Sequence, residues 1–593
     1  MELKDLILKF KENMIEASNL SELLLKENEK DKWISLLENR AERLSIIYKE
    51  DNDILFRINE LLHEIDKVNA VSKDIEGIYT LIYSLYVNNY DDPALMLPIL
   101  AKLENYFIRV DNKIGLLVCY SIHAYEAHEY IVRANSSLSV DISIYKKILD
   151  LRQYYDTFKN EQVRYYIFLS FFNLVVGTGG LKGISLRETY DYLTLMEDFY
   201  NSKIVQTLDK DNEYIKELVE DTRLTWLLIS ESYDELDDFL KNELFKRSQE
   251  YLLEEDIEKS PKEAFMAYYR CLYGNNSITI DELLDIYFKY IHNQTEELLK
   301  GEVTDEDFVG ILELINSSLK VLKHKKTNQE ETYLKLREEK IRLENKLPSL
   351  RVTPYINSLF TDYVSEAIGF DTNKERVEQD LFDNLIKRQA PTYIHSVMVR
   401  NIAIKIYEYM DKSLLKNISN PHEFISNSAL LHDIGKSKIT DIVNMQRRKL
   451  LDEEFYGIQM HPSLGASILL KNPLLKDYYD VVIGHHKWYN ACGGYPMEFN
   501  NQESPYKIVI DLITIADCLD AATDRFGRNY KSAKTVADVL QELNRDKGIK
   551  YSPYFVELIM DNKDLLEELT YLAETKRKEL MYEAYRKYYV EKE

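Results

Sequence analysis

Apolar residues in this chain recur three and four positions apart over most of its length, and convincing alternating runs are absent, so the pattern predicts a molecule built of helices. Gly and Pro number only 18 and 12 in 593 residues, too few to punctuate a strand-rich fold. Through residues 1–327 the periodic stretches are separated by short polar joints, among them NNYDDP (88–93), GTGGLKGIS (177–185), EKSPKE (258–263) and YGNNSIT (273–279). Helices joined this closely pack as hairpins, and hairpins in series stack. The expectation is an all-α chain whose first region, 1–327, is a helical-hairpin array, tetratricopeptide-like or an irregular α-solenoid. The segments starting near Ile78, Gly115, Arg164, Thr225 and Ala264 share no legible consensus. Such a region reads equally as a sensor or partner-binding surface and as a scaffold that dimerises the chain. The charged stretch NQEETYLKLREEKIRLENKL (328–347) has few apolar positions, which predicts a helical linker over 328–350 closed by Pro348, with a second domain at 351–593.

Charge narrows the choice of partners. Lys and Arg total 76 against 101 Asp and Glu, a net charge of −25, which argues against a nucleic-acid polymer or an anionic membrane surface as partner. An anionic small substrate then needs local positive charge, most economically from metal ions. The four cysteines are far apart with no CxxC pair, which suits a reducing compartment. The first twenty residues lack the uninterrupted apolar core of a secretory signal, and the most apolar run, YYIFLSFFNLVVG (165–177), is too short to cross a bilayer. These features predict a cytoplasmic protein.

Of 11 histidines, six (His395, His422, His432, His461, His485, His486) fall between 395 and 486. His395 lies at the edge of the buried side of an amphipathic helix over 391–410. A second helix, opened by Asn420 and Pro421 and expected to stop at Gly435, delivers His432 and Asp433 just after a buried Leu pair. His422, beside that cap, reads as solvated and is set aside. His461 precedes a helix opened by Pro462, and His485 and His486 come on a helix's last turn. The apolar helix 506–525 carries Asp517 and Asp520 on one face, and a buried carboxylate among Ile513, Ile515 and Ala516 calls for a cation. Five neutral imidazoles and two carboxylates from five helices satisfy two adjacent divalent ions, with one carboxylate as bridge. Such an N/O set favours Fe or Mn, and the lack of thiolates argues against structural zinc. Paired ions of this kind serve phosphoester displacement.

These residues, with HDIGK (432–436) and Gly494-Tyr495-Pro496, follow in the order and approximate spacing of the HD-GYP family, a branch of the HD-domain metal-dependent phosphohydrolases, over about residues 385–560. The resemblance implies a helical bundle around a metal centre and a bacterial phosphodiesterase that linearises cyclic di-GMP or a related cyclic dinucleotide. By position, it implies that His395, His432, Asp433 and Asp517 hold one ion and His461, His485 and His486 the other, with Asp433 bridging. Lys436 is then beside the scissile phosphate, Arg528 and Tyr530 contact substrate, and Gly494, Tyr495 and Pro496 wall the pocket. Trp488, Tyr489 and Tyr495 offer faces for stacking a purine, or anchor the loop.

Three departures qualify the resemblance. Pro391 stands where trinuclear members carry Glu, so two ions are expected, with Asp520 behind a ligand or on a third ion. HHKWYNACGGYP (485–496) departs from the usual HHExxDGxGYP, putting Lys487 in place of Glu and Asn490-Ala491 in place of Asp-Gly; Asn490 is expected at the left-handed corner. No GGDEF-like or response-regulator pattern precedes the domain, so regulation, or docking of a protein partner or second copy, falls to the N-terminal half. Other readings keep the metal centre for a different nucleotide, or make the chain a catalytically weak cyclic-dinucleotide receptor.

Overall fold

The computed structural model describes residues 2–65, 72–127, 140–176, 181–182, 184–253, 257–347, 354–439, 447–527 and 533–586. The chain is all-α; among the described residues the strands are two two-residue segments, Val140–Asp141 and Leu181–Lys182, paired in parallel. It divides into two compact units, Asn59–Arg351 and Met1–Ile58 with Val352–Glu593. No helix among the described residues is long and apolar enough to cross a membrane.

Two helices open the chain, α1 (Leu3–Lys26) and α2 (Lys30–Ile65). The unit Asn59–Arg351 then carries α3 (Ser72–Val87), α4 (Pro93–Arg109), α5 (Lys113–Tyr125), α6 (Ser143–Asp150), α7 (Glu161–Val176), α8 (Leu186–Tyr200), α9 (Lys203–Leu208), α10 (Glu213–Trp226), α11 (Asp238–Glu250), α12 (Lys262–Gly274), α13 (Ile280–Leu298), α14 (Asp305–Leu322) and α15 (Gln329–Glu344). Capping boxes start several of them: Ser185 with Glu188, Thr279 with Glu282 and Thr304 with Asp307 each satisfy otherwise orphaned N–H groups. Neighbours in sequence pack together, α4 on α5, α7 on α8, α11 on α12 and α13 on α14. The stretch expected as a helical linker is α15, which buries Tyr333, Leu336, Glu339 and Leu343 and packs on α13 and α14. Its four inward positions, spaced three or four apart, are enough to seat a helix whose other faces are charged.

The other unit contains α16 (Pro354–Ala367), α17 (Lys374–Tyr409), α18 (Pro421–Leu431), α19 (Asp452–Gln459), α20 (His461–Leu469), α21 (Tyr479–Gly484), α22 (Lys507–Thr523), α23 (Val536–Arg545), α24 (Pro553–Asp561), α25 (Lys563–Tyr571) and α26 (Arg577–Tyr585). Helix α17 runs through the middle of its contacts, against α18, α22 and α26. It breaks at Gln389, whose φ of −141° and ψ of 60° leave the helical region two residues before Pro391, where no N–H is available to the ladder.

The first helices belong with this unit and not with the hairpin array to which the sequence pattern assigned residues 1–327. Leu24, Trp33, Leu37 and Ala41 form one core with Ile386, Ile394, Met398, Phe526 and Met581. The Trp33 ring lies 5.6 Å from that of Tyr582 and 5.2 Å from that of Tyr585, and its indole N–H donates to Leu24 O at 3.0 Å. Helical periodicity marks α1 and α2 as amphipathic but is silent on which apolar face will cover them.

Candidate metal centre

The HD turn forms because α18 ends at Leu431 and a 3₁₀ turn, Ile434–Lys438, takes over. The helix was expected to reach Gly435; its earlier end puts His432 and Asp433 at the break, where consecutive side chains leave the helical repeat. Asn420, expected to cap this helix, has φ 47° and gives its side-chain amide to Glu423 instead. Gly435 permits the close packing of the turn on α20, since a Cβ there would lie 2.0 Å from His461 O. From the break in α17, Gln389 Nε2 donates to Lys436 O at 2.7 Å and ties the turn to the helix that bears His395.

Five imidazoles and two carboxylates converge here. His432, His461 and His485 each engage a main-chain carbonyl through Nδ1: Ala429 O at 2.7 Å, Ile458 O at 2.6 Å and Val482 O at 2.7 Å. A donating Nδ1 carries the proton, so in a neutral ring Nε2 is a lone pair. Yet Nε2 of His461 is 3.1 Å from Nε2 of His485, and Nε2 of His432 is 3.4 Å from Nε2 of His395. Lone pairs that face each other at this distance, with no proton between them, require a cation to share.

Asp433 lies between the two groups of rings. Its Oδ2 is 3.3 Å from His395 Nε2 and 3.5 Å from His432 Nε2, and its Oδ1 is 3.0 Å from His461 Nε2 and 3.8 Å from His485 Nε2. That Oδ1 is buried and has no hydrogen-bond partner, which is the condition of a ligand atom. Asp517 Oδ1 lies 3.0 Å from His395 Nε2 and its Oδ2 3.8 Å from His486 Nδ1. Donor atoms of His461, His485 and His486 form one compact set, and those of His395, His432 and Asp517 another. The seven residues singled out from the sequence therefore come together, in groups that could hold a metal ion.

Protonation states suit the same role. Burial drives the His432 and His485 imidazoles below their ordinary value, and His486 down to about 3, so all three are neutral donors. Burial by itself would raise Asp433; Lys436 and the surrounding imidazoles outweigh it and hold the carboxyl well below its usual range. Asp517 is likewise held low, the hydrogen bond with His395 and nearby His486 overcoming burial.

Behind these ligands stands a group the sequence left undecided and one it missed. Asp520 Oδ2 is 2.6 Å from His395 Nδ1 while its Oδ1 accepts from Arg577 Nη2 at 2.6 Å, so Asp520 orients a ligand and faces away from the ligand atoms. Arg577, 1% exposed, also pairs with Asp524 at 3.3 Å. It sits in a run of basic residues near the C-terminus, where nothing in the sequence distinguishes it.

A cavity of about 1040 Å³ opens over the ligands. Lys436 lines it, with Nζ 2.6 Å from Asp433 Oδ2. Gly494, Tyr495 and Trp488 line it too, and the Tyr495 ring is 4.6 Å from that of His486. Pro496, joined to Tyr495 by a cis peptide, and Tyr489, whose ring has Lys507 Nζ 4.2 Å from its centroid, are not among the lining residues. Arg528 and Tyr530 lie outside the described residues. In the loop the left-handed corner is Ala491, φ 61°, and not Asn490, whose Oδ1 accepts instead from Cys492 N at 2.9 Å. An Asx turn is the cheaper use of that side chain. Gly494, φ 78°, closes the loop by a bridge to Lys487 where a Cβ would meet His486 O at 2.1 Å. Tyr48 of α2 completes one wall, and Asn52, one turn on, accepts from Lys449 N at 2.8 Å. No residue in the N-terminal sequence signals this role.

Residues 392–522 match the family model of the HD domain. A cyclic di-GMP phosphodiesterase of Thermotoga maritima is 32% identical over 138 residues, 23% of this chain and 36% of that protein. A 3'3'-cGAMP-specific phosphodiesterase of Vibrio cholerae is 32% identical over 144 residues, 24% of this chain and 27% of that protein. The cyclic di-GMP phosphodiesterase response regulator RpfG of Xanthomonas campestris is 29% identical over 147 residues, 24% of this chain and 38% of that protein. The chain thus spans between 27% and 38% of the length of these relatives. Residues 392–522 are accordingly similar to the HD domain, and to relatives of its HD-GYP type.

Proposed function

We propose that the protein is a metal-dependent phosphodiesterase that opens a cyclic dinucleotide, cyclic di-GMP or a close relative, to a linear product. The observation that carries this reading is Asp433, whose two oxygens reach two separate sets of imidazoles, with His395, His461, His486 and Asp517 of the same cluster lining a cavity large enough for a dinucleotide. Names of the relatives support the substrate class.

Two divalent ions, Fe or Mn by the N/O donor set, would supply a water nucleophile at neutral pH and charge compensation at the phosphate. His395, His432, Asp433 and Asp517 would hold one, His461, His485 and His486 the other, with Asp433 common to both. The carbonyl contacts at Nδ1 fix three rings in the tautomer that leaves Nε2 free to bind. Lys436 brings a positive charge to the ligand face of the cavity, where it neutralises a phosphate oxygen or the leaving group. Trp488 and Tyr495 give the cavity aromatic walls on which a base stacks.

Protein prepared without oxygen and loaded with Fe or Mn is expected to convert cyclic di-GMP or 3'3'-cGAMP to a linear dinucleotide, followed by chromatography with metal content measured in parallel. If metal-replete protein leaves both intact yet releases phosphate from a mononucleotide panel, the substrate assignment is wrong. Binding without turnover would point to a receptor.

A further inference from the structure

Among the described residues, five cationic ones line the cavity: Lys436, Arg448, Lys449, Lys487 and Lys550. Four have evident settings. Lys436 pairs with Asp433 at 2.6 Å, Arg448 with Glu454 at 2.8 Å and Lys550 with Asp546 at 2.9 Å, while Lys449 is exposed. Lys487 differs. It is 2% exposed, and its ammonium has no hydrogen-bond or ion-pair partner among the described residues.

A lysine so enclosed is costly unless something of opposite charge meets it. Its backbone is fixed on both sides, by its N–H to Gly484 O at 2.9 Å and by the bridge to Gly494. Lys487 thus stands in sequence between His486 and the wall residue Trp488, and all three line the cavity. A compact ammonium is best matched by an anion, since a neutral acceptor on a base leaves the charge uncompensated. The ions of the centre would engage one phosphate, and a cyclic dinucleotide has two.

We propose that Lys487 binds the second phosphate of the substrate, the one not being cleaved, and so selects a cyclic dinucleotide over a single phosphodiester. This rests on the phosphodiesterase reading above. It assigns a role to the lysine that replaces glutamate in the His485-His486 loop.

The test compares Lys487→Met and Lys487→Arg in the full-length, metal-loaded protein on cyclic di-GMP, 3'3'-cGAMP and bis(p-nitrophenyl) phosphate, a diester with one phosphate. Lys487→Met is expected to raise KM for the cyclic dinucleotide about tenfold or more with kcat little changed, the loss of one charge-assisted contact. Lys487→Arg should recover most of that affinity, and KM for the single-phosphate diester should stay as in the wild type. Rising salt should weaken kcat/KM for the dinucleotide more in the wild type than in Lys487→Met. Equal changes on both kinds of diester, or none on either, overturn the role of Lys487 and leave the phosphodiesterase reading standing. A wild-type protein that cleaves bis(p-nitrophenyl) phosphate but neither cyclic dinucleotide overturns that reading and this one with it. Metal analysis of each variant separates a lost phosphate contact from a disturbed centre; should Lys487→Met not fold, Lys487→Gln takes its place in the same comparison.

Discussion

In the unit Asn59–Arg351, the buried pair of Arg164 and Asp209 closes on itself. Arg164 gives Nε and Nη2 to the two oxygens of Asp209 at 2.6 and 2.7 Å, and Tyr155 Oη donates to Asp209 at 2.7 Å. Glu197 is held in the same manner by Arg247 and Arg223. In the unit that contains the HD domain, buried polar atoms point at one another without satisfying one another: Nε2 faces Nε2, and Asp433 Oδ1 has no hydrogen bond. A closed network holds a fold together. An open one, walled by a cavity, is completed by something from outside, and the contrast separates structural polar groups from functional ones on geometry alone.

The largest effect expected from this contrast is in Asp433→Ala, which removes the oxygen atoms common to both sets. Hydrolysis should drop by roughly a thousandfold or more, with loss of bound metal by mass spectrometry and little loss of helicity. Arg164→Ala should do the reverse. Leaving Asp209 buried without its partner costs about 3 kcal/mol or more, read as a lower denaturant midpoint, with metal content and kcat/KM retained. If Arg164→Ala instead empties the metal centre, the division between structural and functional networks fails.

Arg577→Met probes a place where an ion pair, Arg577 with Asp520, reaches a histidine of the cluster, His395. Through Asp520 it should weaken metal binding by roughly ten- to a hundredfold, while a saturating metal concentration restores kcat. A kcat that stays low at saturation would assign Arg577 some other part.

The smallest effect concerns pH. His432, His485 and His486 are depressed by burial from an ordinary value of 6.5, His486 to about 3. A depressed pKa means that the unfolded chain takes up protons the fold does not, so this stability is present above 6.5 and is lost as pH falls below it. Asp209 is depressed too, Arg164 and Tyr155 outweighing burial, but from 3.8, so its contribution survives until lower pH. In metal-free protein, amide exchange corrected for intrinsic rate should quicken around the imidazoles between about pH 7 and about pH 5 and stay level around Asp209. Equal loss in both places would sink the distinction.

What the sequence determined is local. Spacing of three and four made the helices legible, and His432-Asp433, His461, His485-His486 and Asp517 were recognisable because metal ligands come from a short list of side chains, His, Asp, Glu and Cys. Their order along the chain carried the HD-domain similarity with it. Tertiary structure decided everything that depends on which surfaces meet. It brought α1 and α2 onto α17 and α26 through Trp33, placed Tyr48 at the cavity wall, set Arg577 behind Asp520, and packed the linker helix α15 on α13 and α14. It also put Ala491 at the corner expected of Asn490 and left Lys487 enclosed without a partner among the described residues. The reason is physical: periodicity and side-chain chemistry are properties of a few neighbouring residues, whereas burial, pairing and the direction of a lone pair arise only when segments hundreds of positions apart share one core.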